Sequence, residues 1–168
     1  MRRMVLSILV DNTAGVLSRI SGLFSRRGYS IDSLTVGETE TPGISRMTVV
    51  ATGDEQILDQ IKKQVAKLED VKSIIELADG ESVCRELILV KVSVTQKDRQ
   101  AIIAVADIFR AKIVDVAMES MMVELTGNQA KLDAFIKLLE GFEVIELVRT
   151  GITGLTRGAA DLAQYIDD

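Results

Sequence analysis

The sequence predicts an α+β protein made of two tandem modules, each with the element order β-α-β-β-α-β. Its hydrophobic periodicity switches repeatedly between two residues, which is typical of strands, and 3.6 residues, which is typical of helices. The same order of elements occurs twice, in residues 1–78 and in residues 83–158. A chain of 168 residues also has room for two modules of about 75–80 residues each.

The first module begins with an apolar strand and continues with an amphipathic helix whose pattern ends at Gly28. Glycine favours such an end because it readily adopts the left-handed conformation found there. Asp54 is placed to cap the second helix, since its carboxylate can accept a hydrogen bond from a free amide. The pattern predicts strands near residues 3–10, 29–37, 44–51 and 71–77, and helices near residues 15–27 and 54–68.

The second module repeats the order of elements but not the residues themselves. Asn128 is placed to cap its second helix. The joint between the modules is expected at Ala78–Ser82. The pattern predicts strands near residues 86–94, 112–118, 121–125 and 143–149, and helices near residues 98–111 and 128–139.

The last segment, Gly151–Asp168, is expected to form a glycine-punctuated tail with a short helix near residues 159–166. Gly151, Gly154 and Gly158 have neither the spacing nor the strand-to-helix placement of a dinucleotide-binding motif. They indicate either a tail conformation or a contact with a partner.

A β-α-β-β-α-β unit folds as a four-stranded antiparallel sheet with two helices on one face, the ferredoxin-like arrangement. Val5, Leu9, Ile88 and Val90 indicate that the other face of each sheet is apolar and needs a cover. A module this small buries too little surface to be very stable alone. We therefore expect self-association through sheet edges or bare sheet faces.

Histidine is absent and cysteine occurs once, which excludes several classes of site. Ser-His-Asp and Cys-His catalytic groups both require a histidine. A Cys/His zinc site cannot be built from Cys84 alone, and no intrachain disulfide can form. We therefore expect a reduced, cytoplasmic protein without catalytic or metal-ligating residues.

The net charge of −5 and the pI near 4.9 argue against nucleic-acid binding, which usually needs a basic face. RNA-recognition modules share the predicted element order, but they stack bases on sheet aromatics, and aromatic residues make up only 4% here. No apolar run approaches the roughly 18 residues of a membrane span, and the first residues do not resemble a secretory signal peptide. We expect neither nucleic acid nor a membrane among the partners.

The most informative segment is DNTAGVL, at residues 11–17 between the first strand and the first helix. Free amides at a helix start bind anions such as a carboxylate, and Gly15 allows close approach to the backbone. Asp11 and Asn12 can accept hydrogen bonds from an ammonium group. With the aliphatic side chains nearby, these groups indicate a site for a free amino acid. The alternative is a plain helix cap with a small residue packed against a strand.

Motifs from both halves of the chain resemble one protein family, in order and in register. This family is the small regulatory subunit of acetolactate synthase, also called acetohydroxyacid synthase. The first half resembles its ACT domain through GVLSR, GLFS, RGY, SLTV and SRMT, between residues 15 and 48. The second half resembles its C-terminal domain through REL, FRA, IVDV, ELTG, KLDAF, RTG and GLTRG, and the resemblance covers residues 1 to about 158.

The resemblance implies that residues 1–78 form an ACT domain that dimerises and binds feedback amino acids between two copies. The effectors would be the branched-chain amino acids, valine foremost. Many relatives carry asparagine at the position of Ser30, where a serine still offers a hydrogen bond with a shorter reach. The ligand contacts that the resemblance implies are Asn12, Thr13, Ala14, Gly15, Val16 and Leu17 from one chain and Ser30 and Ile31 from the other.

The resemblance also implies that residues 83–158 contact and activate a larger catalytic subunit, with residues 159–168 as a tail. That subunit would hold thiamine diphosphate, Mg²⁺ and FAD, and this chain would hold no cofactor. The alternative function is a stand-alone sensor with tandem ACT domains, which would bind a similar amino acid without binding the synthase.

Overall fold

The computed structural model describes residues 1–159 of the chain, so the predicted tail helix lies outside the described residues from position 160 onward. The chain divides into two units. The first unit contains Met1–Cys84 together with residues 152–159, and the second contains Arg85–Gly151.

The first unit contains a four-stranded antiparallel sheet with the strand order β2-β3-β1-β4 and two helices. Its elements follow the predicted β-α-β-β-α-β order. They are β1 (Arg2–Asp11), α1 (Val16–Arg27), β2 (Ile31–Glu38), β3 (Ile44–Gly53), α2 (Glu55–Ala66) and β4 (Val71–Glu76).

The second unit repeats this architecture with the strand order β6-β7-β5-β8, which confirms the predicted pair of ferredoxin-like modules. A short 3-10 turn at Leu139–Gly141 follows its second helix. Its elements are β5 (Ser82–Ser93, whose first three residues belong to the first unit), α3 (Gln96–Phe109), β6 (Lys112–Val116), β7 (Ser120–Gly127), α4 (Gln129–Leu138) and β8 (Glu143–Arg149).

The predicted helix boundaries rest on the residues that the sequence indicated. Gly28 ends α1 in the left-handed conformation, with φ of 70°. Asp54 caps α2 by accepting a 2.8 Å hydrogen bond from the Ile57 amide, and Asn128 caps α4 by accepting one of 2.9 Å from the Lys131 amide. None of the helices within residues 1–159 is long and apolar enough to span a bilayer.

Each unit buries an apolar core between its helices and one face of its sheet. In the first unit this core includes Leu6 and Ile8 of β1, Phe24 of α1 and Ile61 of α2, each at most 1% exposed. Alternate residues of β1 point to the two faces of the sheet, so the same strand also supplies Val5 to the opposite face. The prediction that Val5 makes the helix-free face apolar is confirmed.

Ile88 and Val90 were predicted on a helix-free face, and this prediction is wrong. Both are fully buried in the helix-facing core of the second unit. The opposite face carries Leu89 and Lys91, which line a shallow groove of about 100 Å³ together with Met122. The error arose because residues 87–90 form a continuous apolar run, LILV, in which no alternation marks the two faces.

The helix-free face of the first sheet is covered in part by the C-terminal segment. Ile152 is 8% exposed and packs in a small cluster with Val5, Val50 and Leu77. Its amide donates a 3.2 Å hydrogen bond to Ser33 Oγ, so the backbone of this segment is anchored as well. The sequence placed this residue in a tail, but it belongs to the hydrophobic core of the first unit.

The predicted tail also contains a strand, β9 (Thr153–Thr156), which pairs with β5. Gly154 permits this pairing, because a Cβ there would lie 2.7 Å from both Cys84 Sγ and the Val83 carbonyl oxygen. The sequence left a tail conformation or a partner contact as explanations for the glycines, but Gly154 is explained by close packing within the chain instead. The expected domain of residues 83–158 accordingly differs from the second unit, which ends at Gly151.

We predict that Gly154→Ala lowers the free energy of unfolding by about 1–3 kcal/mol, because the methyl group would overlap the β5 backbone. The matched control is Gly37→Ala in the same unit, where an added Cβ meets nothing within 4 Å. The control is expected to be neutral or to stabilise by up to about 1 kcal/mol. Urea unfolding of both variants measures the difference, and equal midpoints would contradict the packing at Gly154.

Candidate functional site

The loop Asn12–Gly15 connects β1 to α1 and is held from both sides by backbone hydrogen bonds. At its start, the Asp11 amide donates to the carbonyl oxygen of Asp70, just before β4, over 2.9 Å. The Asn12 amide donates to the carbonyl oxygen of Gly43, in the turn between β2 and β3, over 2.8 Å. These two bonds fix where the loop leaves the sheet. We call Asn12–Gly15 the ligand loop.

Helix α1 begins without a side-chain cap. Its N-cap residue is Gly15, which has φ of +86° and offers no side-chain oxygen to the first-turn amides. Among the described residues, the amides of Leu17 and Ser18 have no hydrogen-bond acceptor. Gly15 serves as a small N-cap residue through its carbonyl oxygen, which accepts the Arg19 amide over 2.9 Å, so the alternative of a plain helix cap is still open. The open amides can receive an anion, because they carry the positive end of the helix dipole.

The equivalent helix start in the second unit is closed. There, Thr95 is the N-cap of α3, and its amide donates a 3.1 Å hydrogen bond to Asp98 Oδ2. The Asp98 carboxylate thus supplies the negative charge at the start of that helix. The two helix starts therefore differ: α3 has a capping box with Asp98, whereas α1 has neither a side-chain cap nor an acidic residue in its first turn.

The Arg19 guanidinium lies over the ligand loop and forms a two-pronged ion pair with Asp70. Its Nε lies 2.5 Å from Asp70 Oδ2, and its Nη2 lies 3.0 Å from Asp70 Oδ1. Nη2 also approaches the Ala14 carbonyl oxygen at 3.5 Å. Nη1 lies 2.9 Å from the place that a Cβ on Gly15 would occupy. Any larger residue at position 15 would therefore displace the guanidinium.

Electrostatics around the loop follow from these contacts. The hydrogen bonds from Arg19 hold the pKa of the Asp70 carboxyl below its usual value, with a further contribution from the charge of Lys72. Asp11 is itself paired with Lys72, whose Nζ lies 3.1 Å from Asp11 Oδ2. Asp11 was predicted to accept from an ammonium group, but this ion pair already engages it. The first turn of α1 contains no acidic residue, so the helix start stays electropositive.

Apolar and polar groups lie beside the open amides. Val16 is buried and anchors α1 to the sheet, whereas Leu17 is 47% exposed next to the loop. Asn12 is exposed, and its Nδ2 lies 3.5 Å from Glu38 Oε1. The ligand loop therefore combines hydrogen-bond donors, aliphatic surface and polar side chains, as the sequence indicated.

The predicted site residues fall into two groups in one chain. Asn12, Thr13, Ala14, Gly15, Val16 and Leu17 are contiguous at one end of the first sheet. Ser30 and Ile31 lie at the other end, because Ile31 pairs with Ala51 whereas the loop follows Asp11, which pairs with Ile44. Ile44 and Ala51 are seven residue steps apart along β3, or about 23 Å. A site that includes both groups needs a second chain, and this part of the assignment stays a prediction.

Sequence reasoning missed Arg19 and Asp70 as part of this site. Arg19 could have been found, because it lies four residues after Gly15 and side chains of a helix lean toward its start. Asp70 could not, because 51 residues separate it from Arg19 and no local pattern marks it. Elsewhere in residues 1–159, no group of three or more acidic or cysteine side chains is arranged to hold a metal ion.

Comparisons with known proteins agree with the fold and with the motifs. A family model described as the AHAS small subunit-like ACT domain matches residues 6–73. A second model, described as the small subunit of acetolactate synthase, matches residues 85–158. The two matches follow one another along the chain, in the same order as the two halves whose motifs resemble this family.

Individual relatives match nearly the whole chain. The probable acetolactate synthase small subunit of Methanothermobacter thermautotrophicus is 48% identical over 92% of this chain and 93% of that protein. The acetolactate synthase isozyme 3 small subunit of Escherichia coli is 45% identical over 93% of this chain and 96% of that protein. The crystal structure of the small subunit from Thermotoga maritima has a TM-score of 0.87 at 41% identity, covering 95% of this chain and 100% of that chain. The predicted resemblance is confirmed.

The Arg19–Asp70 pair predicts a pH dependence of stability. Because Arg19 lowers the pKa of Asp70 in the folded chain, the pair stabilises the fold above the unfolded aspartate pKa of about 3.9. This stabilisation is lost as the pH falls through the lower, folded pKa. We expect Asp70→Asn to be less stable than the wild type near pH 6, with the difference shrinking toward pH 3. Urea midpoints across this range measure it, and a difference that stays constant would contradict the pairing.

Proposed function

The chain belongs to the acetolactate synthase small-subunit family, and from this premise we propose that it is the non-catalytic regulatory subunit of acetolactate synthase. In this role it activates the catalytic subunit and makes it sensitive to feedback inhibition by branched-chain amino acids, valine foremost. The observation that carries the proposal is the uncapped start of α1, where the amides of Leu17 and Ser18 lie open beside aliphatic surface.

An aliphatic amino acid fits the groups at the ligand loop. Its carboxylate would accept hydrogen bonds from the Leu17 and Ser18 amides, where the helix dipole favours negative charge. Its ammonium group would donate to the side-chain oxygen of Asn12. Its hydrocarbon side chain would pack on the exposed part of Leu17, which favours apolar effectors over polar ones.

A two-fold axis beside β2 would bring the remaining predicted contacts to the loop. Strand β2 lies at an edge of the first sheet, and antiparallel pairing of two such edges is self-complementary. In that pairing, the start of the partner's β2, next to its Ser30 and Ile31, would lie opposite the Glu38 end of this strand. Glu38 contacts Asn12 of the ligand loop. The arrangement would therefore complete an effector site between two copies.

The second unit would contact the catalytic subunit. Its sheet strands and the turn between β6 and β7 leave apolar side chains unusually exposed, which is typical of an interaction surface. Thiamine diphosphate, Mg²⁺ and FAD would be held by the catalytic subunit, in the cytoplasm where a lone thiol such as Cys84 stays reduced. The exposed side chains are Val114, Val116, Met118, Val144, Ile145, Leu147 and Val148.

A stand-alone amino-acid sensor would share the ligand loop but would not bind the synthase. The match of residues 85–158 to the small subunit of acetolactate synthase supports the regulatory subunit over this alternative. The two functions differ in one measurable property, which is the effect of the chain on a catalytic subunit.

We expect valine, leucine or isoleucine to stabilise the protein against heat. A ligand at about 100 times its dissociation constant adds about 2.7 kcal/mol, which corresponds to a rise in Tm of about 5–10 °C for a chain of this size. Adding the chain to the catalytic subunit should then raise its activity and make that activity sensitive to the same amino acid. A thermal shift without any effect on the synthase would favour the stand-alone sensor, and no shift in the assembled enzyme would contradict the site.

Gly15→Asp should abolish effector binding while the protein stays folded. The new side chain would meet the Arg19 guanidinium, and its carboxylate would occupy the place of the effector carboxylate. The matched control is Gly158→Asp, at a glycine with a similar φ of +82° and no neighbour within 4 Å of an added Cβ. Isothermal titration with valine should detect binding to the control only. Wild-type affinity in Gly15→Asp would refute the location of the site.

A further inference from the structure

We propose that Arg19 is a positioning residue for the effector, acting through a clamp with Asp70 that fixes the ligand loop. The clamp comprises the Arg19–Asp70 ion pair and the backbone hydrogen bond from Asp11 to Asp70. This inference rests on the proposed function, since it concerns how the same loop receives an amino acid. It assigns a role to two residues that lie outside the predicted contacts.

Asp70 holds both ends of the ligand loop at once. Its carbonyl oxygen accepts the amide of Asp11, which directly precedes the loop. Its carboxylate accepts hydrogen bonds from Nε and Nη2 of Arg19. The backbone amide of Arg19 in turn donates to the Gly15 carbonyl oxygen over 2.9 Å. One residue before β4 therefore connects the entry of the loop with the first turn of α1.

The other side of the guanidinium restrains the middle of the loop. Nη2 approaches the Ala14 carbonyl oxygen, and Nη1 lies where a side chain on Gly15 would otherwise lie. The flat guanidinium thus covers the backbone of both residues. Glycine at position 15 and arginine at position 19 fit each other, because only a residue without a Cβ leaves room for the guanidinium.

The position of the Arg19 guanidinium near the start of α1 is not explained by helix stability. A positive charge in the first turn of a helix opposes the helix dipole, whereas an acidic residue there would be favourable. Asp70 offsets this repulsion through a forked, charge-assisted pair. A simple surface ion pair would not need to lie at this end of α1. The position of the Arg19–Asp70 pair over the ligand loop is explained if the pair orders the loop before the effector binds.

Ordering the loop in advance affects binding more than it affects folding. A flexible loop loses conformational freedom when a ligand orders it, and this cost weakens the affinity. If the clamp has already ordered the loop, the Leu17 and Ser18 amides are already positioned to donate hydrogen bonds when the effector binds. Breaking the clamp should therefore raise the Kd of the effector while the chain stays folded.

The test is a double-mutant cycle on the full chain, read by isothermal titration with valine. Arg19→Met and Asp70→Asn should each raise the Kd roughly three- to tenfold, and the double variant should raise it no further. Arg19→Lys should give an intermediate Kd, because lysine keeps the charge but loses the fork. The matched control is Asp59→Asn, which breaks the exposed Lys63–Asp59 pair of 2.8 Å on α2 and should leave the Kd within about twofold.

Two outcomes would overturn the clamp. If Arg19 simply touched the effector, Arg19→Met would weaken binding, whereas Asp70→Asn would leave it unchanged or tighten it by releasing the guanidinium. If the pair were only structural, Arg19→Met and Asp70→Asn would lower the Tm, and neither would change the Kd.

A second measurement keeps the clamp separate from the proposed function. Amide hydrogen exchange of residues 11–18 without any ligand should be faster in Arg19→Met and Asp70→Asn than in the wild type and in Asp59→Asn. Unchanged exchange would reject the clamp whatever the chain binds. If exchange is faster in both variants but the wild type binds no amino acid, the result would reject the effector site and retain the clamp.

Discussion

Gly15 adopts φ of +86° at the start of α1, with the Arg19 guanidinium lying over its backbone. A residue with a side chain would be strained in this conformation and would also collide with the guanidinium. The same glycine provides no capping oxygen, so the first amides of the helix remain open. The chemistry of the ligand loop follows from this one backbone position. In the proposed function these amides receive the effector carboxylate, and in the proposed clamp the Arg19–Asp70 ion pair keeps the loop ordered.

The two modules share one architecture but differ in local chemistry. Both follow the β-α-β-β-α-β order, but Asp98 closes the start of α3 in the second module. The first module keeps its helix start open, and the second keeps apolar side chains exposed on β6 and β8 instead. These local differences support the proposed division into an effector-binding half and a partner-binding half. The topology itself does not distinguish the halves.

The sequence predicted those features that local patterns determine. Element order, the end of α1 at Gly28 and the caps at Asp54 and Asn128 depend on residues a few positions apart. The apolar run at residues 87–90 has no alternation, so the faces of β5 could not be assigned. Ile152 and Asp70 act through partners far away in the sequence, and no spacing rule reveals such contacts.

Mixed dimers test most directly whether the effector site is shared between two chains. Gly15→Asp removes the ligand loop of one chain, and Ser30→Trp would block the contribution of the other. Neither variant alone should bind valine. When the two are coexpressed, each mixed dimer should contain one site with both defects and one intact site, so about a quarter of the wild-type sites should return. No recovery of binding in the mixture would contradict a shared site.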